Sequence, residues 1–313
     1  MKALVTFKYT DEEFDKLRDL GYEVIYKKES EIEFTDEIAD VDMMLCFDLF
    51  DKIDISKFTD IKWIQLISAG INQVPADKVL EKDIILTNNR GCYSIPIAEW
   101  NVLKVLEMLK NSKEIIKQQE EKHWEIDHSL QDLNQKTIGL IGTGSIASET
   151  AKRLKAFGVE IIGLNTTGHD TKCFDRCYGR EDINKFASQC DVIIVTSPYT
   201  DETHHLVDEE VFSHMKDGVY LVNIARGAII DEKAMIENLR SGKIEKAALD
   251  VFEEEPLPED SPLWEMKNVY VSSHTSFVSP MNHERRFYIA YENMKRYIKG
   301  EELLNVVDLD RGY

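Results

Sequence analysis

The chain has 313 residues, a length at which one core usually gives way to two domains, and its 43% apolar share is ordinary for a globular protein. No run approaches the roughly 20 uninterrupted apolar residues of a membrane span. With 38 basic against 58 acidic residues the net charge is −20, which argues against nucleic acid as a partner and obliges any carboxylate ligand to find local cations.

The N-terminus turns acidic by Asp11 without a cationic region or cleavage site, so cytoplasmic residence is expected. A short β-rich run at 4–7 leads into an acidic helix capped by Thr10 and reaching Leu20. Strands are predicted at 23–26, 42–47, 61–67 and 84–87, the last two ending in the turn-rich Ser68-Ala69-Gly70 and Asn88-Asn89-Arg90-Gly91. From Ile97 to about Glu121 the apolar spacing predicts one extended helix, which is either buried against its own core or part of a two-fold interface. A second α/β series follows, with strands at 137–141, 159–164, 191–196, 218–224, 247–251 and 269–272, and a last helix at 282–299. Continuous apolar runs such as Val192-Ile193-Ile194-Val195 predict a parallel sheet covered on both faces. Five cysteines, Cys46, Cys92, Cys173, Cys177 and Cys190, form no Cys-x-x-Cys pair, and no histidine pair has metal-site spacing. Reduced thiols and no metal are expected.

Gly142-Thr143-Gly144-Ser145-Ile146-Ala147 stands between a predicted strand and a predicted helix. Gly142 permits a tight turn, Gly144 lets backbone approach a pyrophosphate, and Ala147 takes the third small position, so a dinucleotide is expected at that helix N-terminus. The next strand ends in Asn165-Thr166-Thr167. No carboxylate stands where one would grip the ribose hydroxyls and repel a 2′-phosphate, so NADP is favoured over NAD.

Arg226, Asp250, Glu255 and His274 each follow a strand, where an open α/β sheet gathers its ligand residues. A guanidinium can hold a carboxylate and polarise a neighbouring carbonyl. A histidine kept in place by a carboxylate, with Glu255 the candidate, can supply a proton as hydride arrives.

Taken in order, Ser68-Ala69-Gly70, Gly91 with Ala98-Glu99-Trp100, the glycine turn, Pro198 with Thr203, Asn223 to Gly227, Leu249-Asp250-Val251 through Glu255-Pro256, Pro262-Leu263-Trp264 and His274 resemble the D-isomer-specific 2-hydroxyacid dehydrogenases. The resemblance covers nearly the whole chain and implies that Arg226, Glu255 and His274 are catalytic. It also implies that Asp250 accepts a hydrogen bond from the nicotinamide end, that Ser145, Ile146, Pro198 and Thr203 border the cofactor, and that Ala69 and Gly70 donate to the substrate carboxylate. Asn165, Thr166, Ser197, Ile224 and Ala225 are further candidates along the cofactor, although Asn165 replaces the family's usual acid and Ser197 stands where many members have bulkier groups.

The expected fold class is α/β, two Rossmann-like doubly wound parallel-sheet domains with a cleft between them. Residues 1–97 plus 283–313 make a flavodoxin-like substrate-binding domain and 98–282 the dinucleotide-binding domain. The expected activity is NAD(P)H-dependent reduction of a small 2-keto acid, of the glyoxylate/hydroxypyruvate type, by a homodimer. The alternatives are a D-3-phosphoglycerate dehydrogenase and a non-catalytic NAD(H) sensor. The sequence ends at Tyr313, and no appended amino-acid-binding regulatory domain is expected.

Overall fold

A computed structural model describes residues 1–309. In chain order its elements are β1 (Lys2–Val5), α1 (Asp11–Asp19), β2 (Glu23–Tyr26), β3 (Met43–Cys46), β4 (Trp63–Leu66), α2 (Ala76–Glu81), β5 (Ile85–Thr87), α3 (Ser94–Leu109), α4 (Ser112–Glu121), β6 (Thr137–Ile141) and α5 (Ser145–Leu154). They continue with β7 (Glu160–Leu164), β8 (Arg176–Tyr178), α6 (Ile183–Ala187), β9 (Val192–Val195), α7 (Glu209–His214), β10 (Val219–Asn223), α8 (Glu232–Ser241), β11 (Ile244–Leu249), β12 (Val269–Val271) and α9 (Asn282–Lys299). No helix among the described residues is long and apolar enough to cross a membrane.

The chain divides into two compact units, an N-terminal one of Met1–Tyr93 joined by the described residues from Ser279 on, and a central one of Ser94–Val278. Both boundaries fall at or just before a helix start, beside the residues 97/98 and 282/283 expected from the sequence, because a helix packs as one body. The last four residues of the expected C-terminal segment lie outside the described residues.

In the N-terminal unit the strands pair in parallel in the order β2-β1-β3-β4-β5. Alternate strand residues go to opposite faces, and the burial follows: Leu4, Met44 and Ile64 enter one apolar cluster, Ala3, Val5, Met43, Leu45 and Trp63 another. Ala290 and Met294 of α9 lie in the second cluster, and the Tyr22 hydroxyl donates to Met294 O at 3.0 Å. Both faces are thus covered, as a parallel sheet requires. The helix α1 carries the predicted Thr10 cap, reciprocated by Glu13.

The central unit holds seven parallel strands in the order β12-β11-β10-β9-β6-β7-β8. Its strand order reverses between β6 and β9, the position at which doubly wound sheets bind ligands. The strand β8 went unpredicted because it is a three-residue edge strand with only Tyr178 buried.

One expectation is corrected. The stretch 97–121 is two helices, not one, because Asn111 takes a left-handed conformation (φ 50°) between α3 and α4. The Lys246 ammonium donates to Met108 O at 3.0 Å and Asn111 Oδ1 at 3.1 Å, placing a cation on the end of α3. Hydropathy runs through the break because it is backbone, not burial, that changes there.

All five cysteines are free. Burial pushes the Cys46 and Cys190 thiols up and Cys92 to about 11, which keeps these three in the unreactive thiol form.

Candidate active site

Where β6 ends, Gly142 turns the chain at φ 93°. A Cβ at this residue would lie 2.8 Å from Ser197 N and 2.9 Å from Ser197 Cα, so only glycine lets the turn after β6 touch the turn after β9. At Gly144 an added Cβ would meet nothing within 4 Å: this backbone faces open space. The first bond of α5 runs from Ser148 N–H to Gly144 O at 2.9 Å, and Gly144 contributes no capping side chain. Helix geometry therefore leaves the N–H groups of Ser145, Ile146 and Ala147 without helical partners, at the positive end of the helix dipole. Ala147 is fully buried where helix meets strand, and the buried Ser197 Oγ has no hydrogen-bond partner. Open backbone, unpaired N–H groups and an orphan hydroxyl at the switch point fit a dinucleotide's pyrophosphate.

Beyond β7, Asn165 organises its own loop. Its Oδ1 accepts from Gly168 N–H at 2.7 Å and Thr167 N–H at 3.3 Å, and its Nδ2 donates to His169 O at 2.9 Å and Thr143 Oγ1 at 3.3 Å. Thr166 and Thr167 remain exposed. After β9, the Thr203 hydroxyl donates to Pro198 O at 2.9 Å and closes the loop that carries Ser197 and Pro198. Ile224 and Ala225, just past β10, are buried.

Arg226, Glu255 and His274 follow the ends of β10, β11 and β12, with His274 in contact with Glu255 and the Arg226 turn pressed on the Phe252–Glu253 backbone through Gly227. Asn223, at the last position of β10, folds the turn that presents Arg226: its Nδ2 donates to Arg226 O at 3.0 Å and its Oδ1 accepts from Ala225 N–H at 3.1 Å. A Cβ on Gly227 would fall 1.8 Å from Phe252 C and 2.2 Å from Glu253 N. Backbone thus presses on backbone, and this contact sets Arg226 beside the loop that carries Glu255. Arg226 is exposed by surface area, yet crowding around it lowers its pKa against the charge of Glu255. Its Nη1 donates to Ala225 O at 2.6 Å, and the guanidinium keeps its charge.

Glu255 Oε2 lies 2.8 Å from His274 Nδ1, and its Oε1 accepts from Phe252 N–H at 3.1 Å. An ionised carboxylate only accepts, so Nδ1 carries a hydrogen and Nε2 faces away from the pair. His274 holds a left-handed backbone (φ 48°), uncommon for a residue other than glycine.

Asp250 holds that backbone in place. It is fully buried, its carbonyl accepts from His274 N–H at 2.8 Å, and its carboxylate accepts from Ser272 Oγ at 2.6 Å, Thr275 N–H at 2.9 Å and Ser276 N–H at 2.9 Å. Oδ2 takes one of these donors and keeps capacity for another. Asn223, Gly227 and Ser272 drew no role from the sequence. The first two sit inside the Asn-x-Ala-Arg-Gly run, whose neighbours of Arg226 were the available signal; Ser272 had none.

In the N-terminal unit, Ala69 and Gly70 occupy the turn after β4. Their carbonyls are fixed, Gly70 O by the Ser68 hydroxyl at 2.8 Å and Ala69 O by Asn88 Nδ2 at 2.8 Å. Neither of their N–H groups is paired among the described residues. No group of three His, Cys, Asp or Glu among the described residues could hold a metal ion.

Residues 102–276 match the family model described as D-isomer specific 2-hydroxyacid dehydrogenase, NAD binding domain. Glyoxylate reductase of Thermofilum pendens is 33% identical over 84% of this chain and 80% of its own length. D-3-phosphoglycerate dehydrogenase of Methanocaldococcus jannaschii is 31% identical over 99% of this chain, which spans only 60% of that protein. Among solved structures, a D-isomer specific 2-hydroxyacid dehydrogenase from Xanthobacter autotrophicus, in complex with NADPH and MES, superposes with a TM-score of 0.83 at 28% identity over 99% of both chains.

Proposed function

The chain belongs to the D-isomer specific 2-hydroxyacid dehydrogenase family, and we propose that within it the protein is a cytoplasmic, NADPH-preferring reductase of small 2-keto acids. The observation that carries this reading is the His274–Glu255 pair at 2.8 Å beside Arg226, on a unit that also presents a dinucleotide turn. Bound reduced nicotinamide would supply the hydride that reaches the substrate's C2. Arg226 grips the carboxylate and polarises the carbonyl oxygen, and Ala69 and Gly70 add backbone donors to the carboxylate. His274, its Nδ1 committed to Glu255, holds a proton at Nε2 and gives it to the oxygen as negative charge develops there. Glu255 fixes the ring through its contact with Nδ1. Asp250, beyond anchoring His274, accepts from the carboxamide end of the cofactor.

On the cofactor side, Ser145 and Ile146 at the start of α5, Ser197, Pro198 and Thr203 after β9, and Ile224 and Ala225 after β10 line the dinucleotide, with Asn165 and Thr166 at its adenosine end. Because the residue that follows β7 is the neutral Asn165 and not a carboxylate, it adds no charge against a 2′-phosphate, and the NADPH in the Xanthobacter relative is in keeping with this. NADPH is expected to give the higher kcat/KM. Asn165→Asp should reverse that preference, since a carboxylate near the 2′-phosphate costs on the order of 1–4 kcal/mol; parallel kinetics with both cofactors check it.

A homodimer is part of the reading. While α3 buries Val105, Met108 and Leu109, the segment beyond it exposes Ile115, Ile116, Trp124 (99%) and Ile126 (71%), apolar side chains that a two-fold interface would cover. Ile116→Glu with Trp124→Glu should convert the dimer to monomer in sedimentation velocity.

Oxidation of a phosphoglycerate is a second reading, favoured by the 31% identity to the archaeal enzyme. The deciding experiment measures NADPH and NADH consumption with glyoxylate, hydroxypyruvate, phenylpyruvate and 3-phosphohydroxypyruvate. The proposal predicts turnover of the unphosphorylated acids; cofactor binding without turnover of any would leave a nucleotide sensor.

A further inference from the structure

In the N-terminal sheet the strand order reverses between β1 and β3, so that the residues just past those two strands stand at its switch point. Three hydrogen-bond donors converge there. Thr6, 5% exposed, directs its hydroxyl at Glu29 Oε2 at 2.5 Å. Phe47 N–H reaches the same oxygen at 2.8 Å, and Asp48 N–H reaches Oε1 at 2.8 Å. Successive backbone N–H groups joined by a hydroxyl are a common protein device for holding a carboxylate or phosphate. Here the chain fills it with a carboxylate of its own.

Glu29 comes from a single 3-10 turn, Glu29–Glu31, whose backbone is held by Lys52 Nζ donating to Glu29 O at 3.0 Å. The donor set is next to the turn proposed above to receive the substrate carboxylate: Gln73 Nε2 donates both to Phe47 O and to the Ser68 hydroxyl, each at 3.0 Å, and Ser68 in turn holds Gly70 O. Burial, then the charges of Asp51 and Glu29, raise the pKa of Asp48, with Lys52 opposing them.

We infer that Glu29 is a specificity residue that makes this end of the N-terminal sheet reject a second anionic group on the substrate. It does so twice over, by occupying the three donors such a group would use and by adding a charge that repels it. The inference rests on the reading that Ala69 and Gly70 receive the first carboxylate, and it narrows the substrate class to 2-keto acids with one anionic group.

The test compares Glu29→Ala and Glu29→Gln with wild type on hydroxypyruvate and 3-phosphohydroxypyruvate, a pair that differs only by the phosphate. The preference for the unphosphorylated acid, as a ratio of kcat/KM values, should fall by roughly ten- to a hundredfold in the alanine variant, the scale of charge-assisted hydrogen bonds released to the phosphate. The glutamine variant, which keeps the shape and loses the charge, should fall less. Should the alanine variant not fold by circular dichroism, the glutamine variant decides alone. Thermal unfolding with inorganic phosphate supplies a readout independent of turnover, with the midpoint raised in Glu29→Ala and unmoved in wild type. An unchanged ratio in folded variants overturns the inference. If wild type reduces neither acid, the functional reading fails, and the inference then stands or falls on whether phosphate raises the midpoint of Glu29→Ala.

Discussion

Replacing His274 by alanine is expected to lower kcat by about two to four orders of magnitude, the usual worth of a positioned acid or base, with NADPH affinity retained. The Nδ1 of this ring is 2.8 Å from Glu255, which leaves Nε2 to hand a proton to the substrate oxygen. Alanine is poorly suited to the left-handed backbone at φ 48°. Asparagine tolerates it, and His274→Asn should show the same loss, which ties the loss to the missing proton donor and not to a displaced loop. Turnover of either variant within tenfold of wild type would remove His274 from the chemistry. Arg226→Ala should raise KM, because the guanidinium grips the carboxylate in ground state and transition state alike, and lower kcat, because it also polarises the carbonyl oxygen on which charge develops.

Gly227→Ala should be as damaging, although Gly227 is assigned no contact with any reactant. The added carbon would sit 1.8 Å from Phe252 C and 2.1 Å from Phe252 O, and backbone atoms cannot swing aside as a side chain does. The expected destabilisation is at or above the roughly 1–3 kcal/mol of ordinary overpacking. Any accommodation pushes the Arg226 turn away from the segment that leads to Glu255, and a misplacement of about 1 Å is worth about a hundredfold in rate. Thermal unfolding and kcat measured together check this. A variant with wild-type stability and rate would contradict the close packing of these two turns.

The parallel architecture was legible because both sheets are covered on both faces: Val192–Val195 and Met43–Cys46 are continuous apolar runs buried along their length. The Thr10 cap and the helix Asn282–Lys299 carried their signals in caps and periodicity. The start of β11 was hidden by Glu245 and Lys246, polar residues within a strand that begins at Ile244. The bend at Asn111 was hidden because a residue in the left-handed region leaves no trace in hydropathy.

Within the site, Arg226 and His274 were legible as charged or titratable groups after strands. Glu255 was not, since it ends the acidic run Glu253-Glu254-Glu255 and only the resemblance distinguishes it from solvated neighbours. The hold of Asp250 on the His274 loop, through Thr275 and Ser276 N–H groups, involves backbone donors that a sequence does not display. The same is true of Glu29, whose partners include two backbone N–H groups eighteen and nineteen residues away.

Hydride transfer to C2 is read directly by following deuterium from NADPH carrying the label at nicotinamide C4 into hydroxypyruvate, with the product examined by mass spectrometry and chiral chromatography. Label is expected at C2 of a D-configured hydroxy acid formed as the cofactor is oxidised. A cofactor that binds but keeps its label, or a product of L configuration, would contradict it.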